Sequence, residues 1–230
     1  GYSNVNSAKN TDMDSKMYPN LAYTRNHCNS SIGGEPFFLC EYAHAMGNAV
    51  GNLRDYWDII EGSNYGIGGC IWDWVDQSIY DSKDIKNGEF EVNGMNKYRT
   101  GFDYPGPHQG NFVNNGLVAA DRAWSPELTN VKYVYQYVKF VSYDASARKV
   151  TIKNDYDFIS LDKFYLRYSV LVDGEVVETA KVDMPSAKPG ETVEVTVPYT
   201  TADVEGKEVM LNVELCYKDE QSWVNADYAI

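Results

Sequence analysis

The chain has 230 residues, 43% of them apolar and 14% aromatic, which excludes a disordered segment and a small disulfide-stapled scaffold. Its formal charge of -13 is spread evenly, with 16 acidic and 10 basic residues up to position 137 and 17 and 10 after it. An acidic surface of this kind repels nucleic-acid phosphates and anionic membranes, so neither is expected as a partner. No apolar run approaches the roughly 20 residues of a membrane helix. The first residues lack the charged and apolar regions of a signal peptide, and the compartment, cytoplasmic or periplasmic, stays open. Cysteines at 28, 40, 70 and 216 form no Cys-x-x-Cys pair and no zinc spacing with the histidines at 27, 44 and 108.

Up to about residue 137 the sequence is rich in Gly, Asn, Trp and Tyr, with short apolar segments. Pro36 introduces the run Phe37-Phe38-Leu39-Cys40, which suits a strand buried on both faces. Residues 52–62 place Leu53, Tyr56, Trp57 and Ile60 on one helical stripe that ends at Gly62. Residues 67–75 then read as a second buried strand. Strand, helix and strand in this order predict βαβ units, in which ligands lie beyond the carboxyl ends of the strands. The positions to watch are therefore 41–48 and 72–77.

From about residue 138 the texture changes to alternating runs separated by turn signals. Strands are expected over 137–143, 149–153, 164–172, 176–182, 192–197, 209–215 and 222–228, with Asp173-Gly174 as a hairpin turn. About seven strands in some 90 residues suit an antiparallel β-sandwich, immunoglobulin-like in architecture only, because no Cys-Trp-Cys framework is present.

Two segments carry the chemistry. In CEYAHAMGN (40–48) an apolar strand ends on the carboxylate of Glu41, followed three positions later by the imidazole of His44. The same residues would serve a helix-capping acid and a satisfied, partly buried histidine, so the chemical and structural readings both stand at this point. Alternation along the strand places Cys40 on the face opposite Glu41. In WDWVDQS (72–78) two indoles and two carboxylates stand at a strand end. Aromatic faces beside carboxylates and amides are how proteins hold sugars, although either tryptophan could equally be core.

These two motifs, at this separation, resemble those of the bacterial β-galactosidases of glycoside hydrolase family 2. The resemblance extends to Met17-Tyr18-Pro19 upstream and to 114–122 downstream, and more loosely to the C-terminus. It implies an α/β plus all-β chain: the C-terminal part of a (β/α)8 barrel over 1–137, about strands six to eight, followed by an immunoglobulin-like sandwich over 138–230. It further implies that Glu41 is the nucleophile, that Tyr18 hydrogen-bonds it, and that His44, Trp72 and Asn115 contact the galactoside. The Phe112 carbonyl and Asn115 match positions that hold a sodium ion in some members. The acid/base glutamate of the family lies in an Asn-Glu pair, and no such dipeptide occurs in this chain. The magnesium ligands that cluster with it are expected in the intact enzyme only. The chain is accordingly expected to need the remainder of the β-galactosidase chain, inactive alone and homo-oligomeric when intact. Two other readings stand beside this one: a carbohydrate-binding or interaction module carried by the sandwich, and a family 2 enzyme acting on glucuronides or mannosides.

Overall fold

The computed structural model describes residues 11–30, 34–79, 85–86, 89–90, 98–201 and 204–230. The chain divides into two compact units, Gly1–Tyr135 and Gln136–Ile230.

The first unit is built on three parallel strands in the order β1 (Asp14–Met17), β2 (Phe37–Tyr42) and β3 (Gly66–Ile71). Helix α1 (Leu21–Asn29) joins β1 to β2 and α2 (Leu53–Glu61) joins β2 to β3, so two βαβ units run in sequence. The helix over 52–62 forms as expected and stops at Gly62. Helix α1 starts at Asn20, whose side chain accepts from the Tyr23 amide, a cap that the turn-like composition concealed. The pair β4 (Ile85–Lys86) and β5 (Glu89–Phe90) and a 3₁₀ turn at Gly101–Asp103 follow. Helix α3 (Pro126–Val134) begins with Ser125 capping the Leu128 amide and with proline in the first turn. Cys28, Phe37, Leu39, Tyr42, Leu53, Ile60, Leu117 and Val134 form the core that these helices share with the sheet.

Two details depart from the expected pattern. Strand β3 ends at Ile71 instead of continuing to Val75, because after Trp72, whose amide still bonds Tyr42, the backbone turns from Asp73 onward to bond a later segment. In β2 the register against β3 shifts between Leu39 and Tyr42. Strict alternation would bury Glu41 with Phe37 and Leu39; the shift buries Tyr42 instead and leaves Cys40 and Glu41 both half-buried beside each other. The register shift places a bulge at Cys40-Glu41, where the strict alternation expected of the strand is interrupted.

The second unit holds β6 (Val138–Asp144), β7 (Lys149–Asn154), β8 (Phe164–Val172), β9 (Glu175–Asp183), β10 (Thr192–Thr196) and β11 (Val209–Tyr217). They form two antiparallel sheets, β10-β7-β6 and β11-β8-β9. Val150, Ile152 and Val195 from one sheet and Leu166, Tyr168, Val170 and Leu215 from the other belong to a single core. Asp173 and Gly174 both have positive φ, 50° and 83°, as a tight two-residue hairpin requires. The seventh strand expected over 222–228 does not form. That stretch makes only isolated bridges, Gln221 to Val224 and Cys216 to Ala229, around an Asp227 with φ 67°. The Asp227 carboxylate is taken by the Tyr165 hydroxyl and the Lys181 ammonium, at 2.7 and 2.8 Å, which folds the tail back as turns. The cysteines at 28, 40, 70 and 216 are free thiols. Among the described residues no helix is long and apolar enough to cross a membrane.

Asn154 is fully buried and fully satisfied: its amide donates to the Ile159 and Ala187 carbonyls, both at 2.9 Å, and accepts from the Tyr156 amide at 3.0 Å. Asn154→Ala removes the side-chain partner of the Ile159 carbonyl and the Tyr156 amide and one of two donors to the Ala187 carbonyl, and should cost about 3 kcal/mol in urea unfolding. Glu178 accepts from the amides and hydroxyls of Thr200 and Thr201, which hold its carboxyl at about 2 against an ordinary 4.5. The unfolded chain thus takes up this proton first as pH falls. The stability advantage of wild type over Glu178→Gln should be full above pH 4.5 and vanish as pH drops through about 2, read by unfolding midpoints at stepped pH.

Candidate active site

The six residues singled out by the resemblance lie where β1, β2 and β3 end and on the segment 112–118. Backbone hydrogen bonds stitch these ends together. The Tyr18 amide donates to the Glu41 carbonyl at 2.8 Å, and the Trp72 amide to the Tyr42 carbonyl at 3.1 Å. The Ala45 amide returns to the Trp72 carbonyl at 2.8 Å, which fixes the His44 loop against the end of β3. Asp73 is held on both sides, its amide donating to the Asn115 carbonyl at 2.8 Å and its carbonyl accepting from Leu117 at 3.0 Å. The Asp76 and Gln77 amides reach Val118 and Val113, at 2.9 and 2.7 Å. The Trp72–Asp73 peptide bond is cis.

This close seam dictates a glycine. A Cβ on Gly116 would sit 2.1 Å from the Asp76 nitrogen and 2.4 Å from the Val75 carbonyl carbon, so no other residue fits. The Gly116 amide donates to Asp76 Oδ1 at 2.8 Å, which gives that carboxylate a structural task.

His44 stands between two aromatic rings, with centroids 6.1 Å from Tyr18 and 5.6 Å from Phe112. Its Nδ1 accepts from the Met46 amide at 3.2 Å. An amide can only donate, so the ring's proton is on Nε2, and this buried Nε2 has no hydrogen-bond partner among the described residues. Asn115 is 1% exposed; its Nδ2 donates to the Phe112 carbonyl at 3.1 Å while its Oδ1 is buried and unpartnered among the described residues. Trp72 is half-buried and Trp74 is 62% exposed, so the two indoles split as one inner and one outer ring. Glu41 is half-buried at the bulge that ends β2.

Two acidic residues of WDWVDQS gained a place only in the structure. Burial pushes the Asp73 carboxyl up, against lowering effects of a hydrogen bond from Gln77 and of His44 nearby. Its Oδ2 accepts from the Gln77 side chain, and its Oδ1 is buried and unpartnered among the described residues. Asp76 is likewise raised, first by burial, with the Gly116 amide lowering it and the charges of Asp73 and Asp121 adding to the rise. The signal available in the sequence was an acidic residue directly after Trp72 at a strand end.

A half-buried carboxylate, a histidine proton donor, a clamped amide and aromatic rings together can bind and attack a polyhydroxylated substrate. Comparison with known proteins points the same way. The family model described as "Beta-galactosidase, domain 4" matches residues 150–230. The β-galactosidase of Priestia megaterium (strain DSM 319 / IMG 1521) is 31% identical over 223 residues, covering 96% of this chain and 21% of that protein. That of Lactobacillus delbrueckii subsp. bulgaricus is 32% identical over 220 residues, 96% of this chain and 20% of the relative. That of Clostridium acetobutylicum is 31% identical over 223 residues, 94% and 23%. The chain thus spans about a fifth of the length of these curated relatives. The model described as "Glycosyl hydrolases family 2, TIM barrel domain" matches residues 3–140, more than half the chain and every segment joined by the seam. The chain belongs to glycosyl hydrolase family 2.

Proposed function

We propose that the chain is a section of a retaining β-galactosidase that hydrolyses terminal non-reducing β-D-galactosides, with Glu41 as nucleophile. The observation that carries this reading is the convergence of Glu41, Tyr18, His44, Trp72 and Asn115 on one stitched rim of strand ends, in a chain similar to proteins named β-galactosidase. The parallel βαβ pairs support a barrel section over the first unit, and two sheets on one core support an immunoglobulin-like sandwich in the second.

In this mechanism the ionised Glu41 attacks the anomeric carbon and forms a glycosyl ester, while a second carboxylic acid roughly 5 Å away protonates the leaving oxygen and then activates water. The Tyr18 hydroxyl hydrogen-bonds the nucleophile. His44 Nε2–H donates a hydrogen bond to a sugar hydroxyl, Asn115 orients the ring, and the Trp72 indole supplies an apolar platform. The second acid belongs to the remainder of the polypeptide, and magnesium goes with it.

A sodium ion fits the residues present. The orphaned Asn115 Oδ1 and the Phe112 carbonyl beside the same amide are uncharged hard oxygen donors, the kind such a cation takes. Phe112 and Asn115 would hold it, and the ion would supply a further point of attachment for substrate oxygen.

In the full-length enzyme, Glu41→Gln should lower nitrophenyl β-galactoside hydrolysis by several orders of magnitude with the unfolding midpoint unchanged; retained turnover removes Glu41 from the nucleophile role. The 230-residue chain alone should show no hydrolysis above buffer, since half a retaining pair leaves the departing oxygen unprotonated. Turnover by the isolated chain, lost in Glu41→Gln, would show that a second acid is present within it.

A further inference from the structure

We propose that Asp73 is a specificity-determining residue of the sugar site, whose Oδ1 accepts a hydrogen bond from one substrate hydroxyl, the same hydroxyl region that His44 Nε2 donates to. The proposal rests on the galactosidase reading above and extends it to a residue with no role so far.

Three observations carry it. First, Asp73 has little freedom: its amide and carbonyl are both bonded to the 115–117 segment, at 2.8 and 3.0 Å, so its side chain shares one rigid frame with Asn115. Second, the carboxylate is only half used. Gln77 donates to Oδ2, while Oδ1 is buried without a partner among the described residues. Third, the nearby His44 presents a buried donor in the same condition, Nε2, with its tautomer set by the Met46 amide. The two groups are close enough to interact electrostatically and do not bond each other.

A buried acceptor and a buried donor, each left unmade, are costly, and folded proteins keep them where a ligand completes them. The chemistry of that ligand follows from the pair. A cation would satisfy Asp73 Oδ1 and be repelled by the Nε2 proton; an anion would do the reverse. A hydroxyl both donates and accepts, so a polyol such as a sugar answers both. Asp76, three residues on, differs: its Oδ1 takes the Gly116 amide, and it has no buried oxygen without a partner among the described residues.

The test uses the full-length enzyme and the set of monodeoxy nitrophenyl β-galactosides, each lacking one hydroxyl. Wild type should lose about ten- to hundred-fold in kcat/KM when the partner hydroxyl is removed, the worth of a hydrogen bond to a charged group. Asp73→Asn, which swaps the ionised acceptor for an amide of equal size, should lose a similar factor on the complete substrate and no longer distinguish that one deoxy analogue. A merely structural Asp73 would lower activity on every member by the same factor and leave the wild-type pattern of penalties, which overturns the proposal. If Asp73→Asn does not fold, Gln77→Leu decides: it frees Oδ2 without touching the seam and should weaken the dependence on a single hydroxyl, whereas an unchanged pattern overturns the proposal. Wild-type enzyme without any galactosidase activity would instead sink the underlying reading, and this one with it.

Discussion

The geometry of the first unit hangs on one close approach, that of Gly116 to the backbone at 75–76. With a Cβ at 116 lying 2.1 Å from the Asp76 nitrogen, the two chain segments could not pair. Their pairing sets the Asp73, Asp76 and Gln77 amides, and through Asp73 it fixes Trp72 on one side and Asn115 on the other. The site is thus positioned by main-chain bonds between segments some 40 residues apart, which rotamer changes cannot loosen.

Backbone strain gathers around the same rim. Tyr18, Ala43, Val50 and Asn52 all have positive φ, from 46° to 60°, although none is glycine, and Val50 is β-branched. Conformations of this kind cost on the order of 1–3 kcal/mol each and last only where the surroundings impose them. Here they do: the Tyr18 amide is tied to Glu41 at 2.8 Å and the Val50 amide to His44 at 3.3 Å. In the second unit Arg148 and Asp173 fall in turns between antiparallel strands, where local geometry alone accounts for them, and Asp227, at φ 67°, is held by Tyr165 and Lys181 in the folded-back tail. The distribution separates a unit built to hold a site from one built to hold itself.

How much of this could be read beforehand follows from the range of the forces. Strands β7 to β11 announce themselves because alternation is a local consequence of one buried face, and Leu53, Tyr56, Trp57 and Ile60 announce α2 for the same reason. Helices α1 and α3 were hidden because their cues are single capping residues, Asn20 and Ser125, in otherwise unpatterned sequence. The bulge at Cys40-Glu41 and the turn of the chain at Asp73 toward 113–118 were unreadable, since both are settled by partners far along the chain. The motif residues Glu41, His44, Trp72 and Asn115 were legible as types, while the contacts that orient them are tertiary.

The loop after β3 shows how one short segment can hold two carboxylates for different ends. Both are raised by burial, and the charge of Asp73 adds to the rise at Asp76, so the pair cannot be indifferent to each other. The conflict is resolved by unequal satisfaction. Asp76 receives a main-chain amide and becomes part of the seam. Asp73 receives one side-chain donor, from Gln77, and keeps an oxygen in reserve. A main-chain donor is fixed by the fold, whereas a side-chain donor on exposed Gln77 can adjust to what the other oxygen binds. That asymmetry lets the scaffold stay rigid at Asp76 and responsive at Asp73, three residues apart.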